Sequence, residues 1–245
     1  GVTARDRAVS ETIGFVITFS LIILMVGLVY TAGTSALADF QRAEQTDNAE
    51  YAMEALAETL GTLERGDPAR ASELRVGGGS FGVTNETTLD VAVAGASPYS
   101  RTFQVRGLSY RRDETTVAFA SGAIIRTDRG NAVMLRDPSF VCTPDRAIVS
   151  VVTLRNVGDS TRIDASGSVV VEARTVNRTL AFPTNASTAA DSATAVTVTP
   201  SGERADGWDQ YFSAAPQWTA AGPGYTCTTS EVYVRRTIIT VRLFV

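Results

Sequence analysis

Residues 13–30 form one uncharged apolar run, Ile-Gly-Phe-Val-Ile-Thr-Phe-Ser-Leu-Ile-Ile-Leu-Met-Val-Gly-Leu-Val-Tyr. At about 1.5 Å of rise per residue, a helix of that length covers about 27 Å, close to the hydrocarbon thickness of a bilayer. No second run of this kind occurs in the 245 residues. The sequence therefore predicts one N-terminal apolar helix and one large polar head, and any function has to use both.

The helical pattern continues past Tyr30. Small residues follow, and then Met53, Leu56, Leu60 and Leu63 recur at spacings of three and four, the mark of an amphipathic helix. Gly66-Asp67-Pro68 is a stop signal. The expected helix is apolar over 13–38 and amphipathic over 39–65, within a helical region 1–68. Its second half should pack its apolar face on the head. Gly14, Gly27 and Gly33, with Ser20, Ala32 and Ser35, either leave room for close helix contact or are simply tolerated in a membrane span.

From Leu74 onward apolar residues are short, β-branched and often alternating, as in residues 88–93, 146–154 and 232–245. Gly, Asp and Asn punctuate them, for example at Asp128-Arg129-Gly130-Asn131. Many short strands with regular turn signals point to an antiparallel β-sandwich-like head over 69–245, and to an α+β class for the whole. A short helix is expected near Asp206–Ala214. Gly77-Gly78-Gly79 lacks a lysine and a following helix, so it reads as a flexible turn and not as a phosphate cradle. The Thr-, Ala- and Ser-rich stretch 186–202 reads as an exposed loop. Trp208, Tyr211, Phe212, Trp218 and Tyr225 form either a packed core or a sugar-stacking surface.

Composition excludes several kinds of chemistry. There is no His, and all 22 basic residues are Arg. Without His there is no Ser-His-Asp triad, Cys-His pair or imidazole ligand for a metal. Without Lys there is no Schiff base and no P-loop lysine. No paired-carboxylate motif stands in for them, so no enzyme activity, catalytic residue, cofactor or metal is expected. The net charge is −4, and the basic residues are scattered among 26 acidic ones, which argues against a nucleic-acid partner.

Arg5 and Arg7 precede the apolar run, whereas Asp39, Arg42 and Glu44 follow it. That bias places the N-terminus in the cytoplasm and the head outside. Three acceptor sequons, beginning at Asn85, Asn177 and Asn185, agree with an external, glycosylated head. Ala36-Leu37-Ala38 comes near a signal-cleavage site without matching it cleanly, so the run is expected to be retained. Cys142 and Cys227 form a disulfide if the head is outside, or two buried thiols otherwise.

The start Arg7-Ala8-Val9-Ser10-Glu11-Thr12-Ile13-Gly14-Phe15, followed by an aliphatic run, resembles haloarchaeal type IV pilin-like proteins. The stretch Gly130 to Phe140 is similar to the heads of an uncharacterised haloarchaeal family. The resemblance implies a subunit of a surface filament, processed by a prepilin peptidase and extracted from the membrane by pilus-assembly machinery. Apolar helices would then bundle in the core, with Ile13, Gly14, Phe15, Gly27 and Gly33 at their contacts, and the heads would serve adhesion or motility, including contact with surface glycans. Glu11 would pair with the N-terminal amine of a neighbouring subunit, although ten residues precede it here, more than in that pattern. Arg5 or Arg7 of a neighbour could substitute, or Ser10-Glu11 could be a helix start at the membrane surface. The alternative is a monomeric membrane-anchored binding protein, an adhesin or solute-binding module, with its pocket near Trp208 and Trp218.

Overall fold

The computed structural model describes residues 4–158, 160–164, 167–184 and 190–244. A helix, α1 (Ala4–Arg65), opens the chain. Then come β1 (Ala69–Arg75), β2 (Ser80–Gly95), β3 (Tyr99–Arg112), β4 (Thr115–Ala120), β5 (Ala123–Asp128), β6 (Asn131–Arg136) and β7 (Val141–Cys142). They are followed by β8 (Ala147–Asn156), β9 (Arg162–Asp164), β10 (Ser168–Phe182), β11 (Ala193–Gly202), α2 (Ala205–Ala214), β12 (Thr219–Ala221), β13 (Gly224–Thr228) and β14 (Val232–Phe244). The class is α+β, as the sequence predicts. The chain divides into two compact units, Gly1–Thr46 and Asp47–Val245, and α1 contributes to both.

Within the second unit the strands form two sheets. One has the order β1-β10-β14-β8-β7, and the other runs β12-β13-β11-β2-β3-β4-β5-β6, with β9 also pairing on β2. Nearly all pairings are antiparallel, but β14 and β8 are parallel, from Val232 opposite Ala147 to Val241 opposite Asn156. Alternating apolar residues do not encode the direction of the neighbouring strand, so the sequence could not show this pair.

The strands build two cores. The first contains Leu108, Val117, Phe119, Ile124, Val152, Leu154, Ile239 and Val241. The second contains Val105, Ala120, Ile125, Val149, Val151, Val232, Val234 and Trp208. On β8, Val149 and Val151 enter the second core, while Val152 and Leu154 enter the first. Successive strand residues point to opposite faces, and the β8–β14 register runs without a shift, so the two cores lie on opposite faces of this parallel pair. Residues 47–65 of α1 join the first core through Ala49, Met53, Leu56, Ala57, Leu60 and Leu63, all at most 2% exposed. This is the face that the spacing of three and four predicts.

A buried serine ties the two sheets together. Ser121 and Gly122 turn β4 into β5 with φ of 51° and 86°, the left-handed pair that suits a tight hairpin. The fully buried Ser121 hydroxyl donates to the Ser150 carbonyl at 3.1 Å and accepts from the Val152 N–H at 3.0 Å. It thereby satisfies backbone groups on the edge of β8 that β7 does not reach.

Two expectations change. The stretch 186–202 is not an exposed loop from end to end, because β11 pairs with both β2 and β13 and buries Ala193, Val196 and Val198. Its small polar residues occupy the alternate positions, so composition hid a period of two. The Gly77-Gly78-Gly79 turn is held in place: the Tyr110 hydroxyl donates to the Gly78 carbonyl at 2.6 Å, and Arg112 donates to the Gly77 carbonyl. A Cβ on Gly79 would lie 2.7 Å from the Arg111 carbonyl oxygen, at a φ of +97°. The strands begin with β1 at Ala69.

Candidate functional site: an exposed apolar helix segment

The segment Ile13–Thr34 of α1 has a mean hydropathy of 2.5 and is 0% buried, long and apolar enough to cross a membrane. Its large side chains stand in the open all the way round; Phe15, Leu24 and Tyr30 are 70%, 70% and 72% exposed. Burying one such side chain gains about 1.5–3 kcal/mol, and the segment is compatible with a membrane anchor or a signal sequence. Phe15 and Phe19 stack with centroids 5.9 Å apart.

Its threonine hydroxyls are satisfied within the helix. Thr18 donates to the Gly14 carbonyl at 2.9 Å, Thr31 to the Gly27 carbonyl at 3.0 Å and Thr34 to the Tyr30 carbonyl at 3.0 Å. Each donor is satisfied inside its own helix, which suits a dry environment. The spacing of four between each threonine and its acceptor is the sequence signal for this pattern.

Gly14, Gly27 and Gly33 lie along this segment, and a Cβ added at any of them would meet nothing within 4 Å. A glycine inside a helix costs about 0.5–1 kcal/mol relative to alanine. Ile13 is 54% exposed. Glu11 falls within α1, but its side chain lies outside the described residues.

Where α1 joins the second unit, charged side chains fix its polar edges. Arg126 on β5 donates to Glu50 at 2.7 Å and to Asp128 at 2.6 Å. Arg136 on β6 donates to Glu58 at 2.7 Å, and Arg65 donates to the other Glu58 oxygen at 2.9 Å. Burial pushes the Glu50 carboxyl above the ordinary glutamate value, against the pull of Arg126. The hydrogen bond from Arg136, then that from Arg65, holds the Glu58 carboxyl below it.

The remaining expected sites fall on the head. Cys142 on β7 and Cys227 on β13 are disulfide-bonded with Cα atoms 6.0 Å apart, which joins one sheet to the other. Asn85 and Asn177 are exposed. Thr87, the hydroxyl residue of the Asn85 sequon, is buried within paired β2, whereas Thr179 of the Asn177 sequon is exposed. Asn185 lies outside the described residues.

The aromatic cluster is core. Trp208 and Phe212 are 0% exposed and Trp218 is 7% exposed, with the Phe212 ring 5.0 Å from Trp218 and 4.8 Å from Tyr225. Burial pushes the Tyr211 hydroxyl up to about 12. Tyr211 and Tyr225 are half-buried at the edge of the cluster.

No curated protein and no solved structure matches the chain. The sequence pattern of a family of unknown function matches residues 7–242, from the start of the apolar helix almost to the end of β14. The chain belongs to that family, DUF7289.

Proposed function

We propose that this chain is a structural subunit of an extracellular type IV pilus-like filament. The apolar helices bundle in the core and the β-rich heads face outward. The observation that carries this reading is the segment Ile13–Thr34, apolar on every side, with its threonine hydroxyls satisfied internally and three glycines at which an added Cβ would meet nothing within 4 Å among the described residues. A helix of this kind is stable in lipid before assembly and in a bundle of like helices afterwards.

In this reading the precursor sits in the membrane with Arg5 and Arg7 on the cytoplasmic side, and a prepilin peptidase and the assembly machinery act on it there. The head is outside, where its disulfide persists and where Asn177 accepts a glycan. Glu11 sits at the edge of the apolar run and pairs with a basic group of a neighbour, because a lone carboxylate there would be costly. Surface adhesion or motility is the role of the assembled filament.

Photo-crosslinking at Phe19 in intact cells tests the reading. A benzophenone side chain at this position, which is 54% exposed, is expected to give a ladder of multimers containing only this chain. A single adduct to lipid, with no multimers, would instead support a monomeric anchored binding protein.

A further inference from the structure

Four side chains border the second core where β3 approaches the β14–β8 pair. Tyr99 and Arg101 share the face of β3 that carries Phe103 and Val105 into that core, two and four residues on. Arg236 shares the face of β14 that carries Val232 and Val234, and Arg155 the face of β8 that carries Val149 and Val151. The Tyr99 ring lies 5.8 Å from Phe182, whose partner across the ladder is Val234, two residues before Arg236. Gln104 and Thr153 bring the same parts of β3 and β8 together, the Thr153 hydroxyl donating to the Gln104 carbonyl at 3.4 Å.

The charges at this border are unbalanced. Among the described residues no carboxylate pairs with Arg101, Arg155 or Arg236, whereas Arg126 has two and Arg129, Arg136 and Arg146 have one each. Partial burial, with Arg101 and Arg155 close by, lowers the Arg236 guanidinium below the ordinary arginine value. Arg236 Nε is shut off from solvent without a hydrogen-bond partner, and Tyr99 Oη is shut off from solvent beside Arg101. Arg236 as a whole is half-buried, and Arg101 and Arg155 are exposed, so the cluster is reached from outside. The Arg101 guanidinium lies 5.3 Å from the centre of the Phe103 ring, which fixes its direction.

We propose that Tyr99, Arg101, Arg155 and Arg236 form an oxyanion site on the head, for a sulfate- or phosphate-type group. Guanidinium forks match such groups with paired N–H donors, and a dianion offsets three like charges held together. Arg236 supplies the inner, partly desolvated contact, where an ion pair is screened least. Arg101 and Arg155 supply the outer contacts. The group reaches the site either as a free ion or as the terminal group of a surface sugar.

Calorimetric titration of the full chain in detergent micelles tests this, with sodium sulfate, a sulfated monosaccharide, and sodium chloride at matched ionic strength. Saturable one-to-one binding of sulfate or sulfated sugar over chloride is expected, at least tenfold weaker in Arg101→Gln and in Arg155→Gln and unchanged in Arg75→Gln. Both arginines are exposed, so these two variants decide the matter even if Arg236→Gln does not fold. Tighter binding of the sulfated sugar supports the site and assigns it to a glycan; tighter binding of inorganic sulfate supports it and assigns it to a free ion. Heats no larger than those of chloride, or wild-type affinity in both exposed variants, would overturn the proposal.

Discussion

Arg178, on β10, donates from Nη2 to the Leu63 carbonyl at 2.7 Å and from Nε to the same oxygen at 3.2 Å, at the last turn of α1. The same Nη2 also donates to the Asp67 carbonyl at 2.8 Å. The final carbonyls of a helix have no partners within it and carry the negative end of its dipole, so a guanidinium there is both donor and counter-charge. Arg178→Ala should lower the stability of the full chain by about 1 kcal/mol, read by urea denaturation. Arg178→Lys keeps the charge but loses the fork, and should fall in between. An alanine variant as stable as wild type would show that the contact contributes nothing.

Ser121 carries a larger expected effect. Ser121→Ala leaves the Ser150 carbonyl and the Val152 N–H without partners in the interior. That should cost about 2 kcal/mol or more in the same denaturation experiment.

The disulfide closes a loop with a sequence separation of 85 and links β7 to β13. Replacing Cys142 and Cys227 together by Ala should lower stability by about 2–4 kcal/mol. Reduction of the native protein should give the same shift in midpoint. Agreement between the two would assign the effect to the cross-link and not to cavities left by the missing sulfurs.

Two carboxylates on α1 should give stability opposite slopes with pH. The Glu50 carboxyl is raised from 4.5 by burial, so the folded state binds more protons there than the unfolded state does. Its contribution therefore falls as pH rises through and above the ordinary glutamate range. The Glu58 carboxyl is lowered from 4.5, so its contribution is present above that value and is lost as pH falls through the folded one. In melting curves between about pH 3.5 and 7, Glu50→Gln should remove the first dependence and Glu58→Gln the second. Identical pH profiles for the two variants would contradict the assignment.

Much of this fold is legible in particular residues. The uncharged run from Ile13 and the spacing of Met53, Leu56, Leu60 and Leu63 define one helix with two different environments. Cys142 and Cys227 are the two cysteines of the sequence, and they pair with each other. Other features depend on partners distant in sequence. Arg178 reads as the middle of a sequon, and nothing local shows that it caps a helix whose last turn is more than a hundred residues away. Ser121 reads as a turn residue, yet its partners lie on β8. Arg101, Arg155 and Arg236 sit on three strands that only the parallel pairing of β8 and β14, and the approach of β3, bring together. The threonine hydroxyls of α1 are legible in principle, since each lies four residues beyond its acceptor.

Gly27 tests whether the exposed helix face is used outside the chain. A Cβ there meets nothing, so Gly27→Leu should leave the urea midpoint of the head unchanged. In the filament account the same change should reduce assembly several-fold, because a large side chain holds neighbouring helices apart. Unchanged assembly would remove Gly27 from the contact surface.

The central claim is that the segment Ile13–Thr34 is buried among copies of itself. The most direct measurement is electron microscopy of material sheared from the cell surface, with mass spectrometry of its subunits. The account predicts thin filaments containing this chain with the segment Ile13–Thr34 intact. Recovery of the chain only from detergent-solubilised membranes, with none in the sheared fraction, would contradict it.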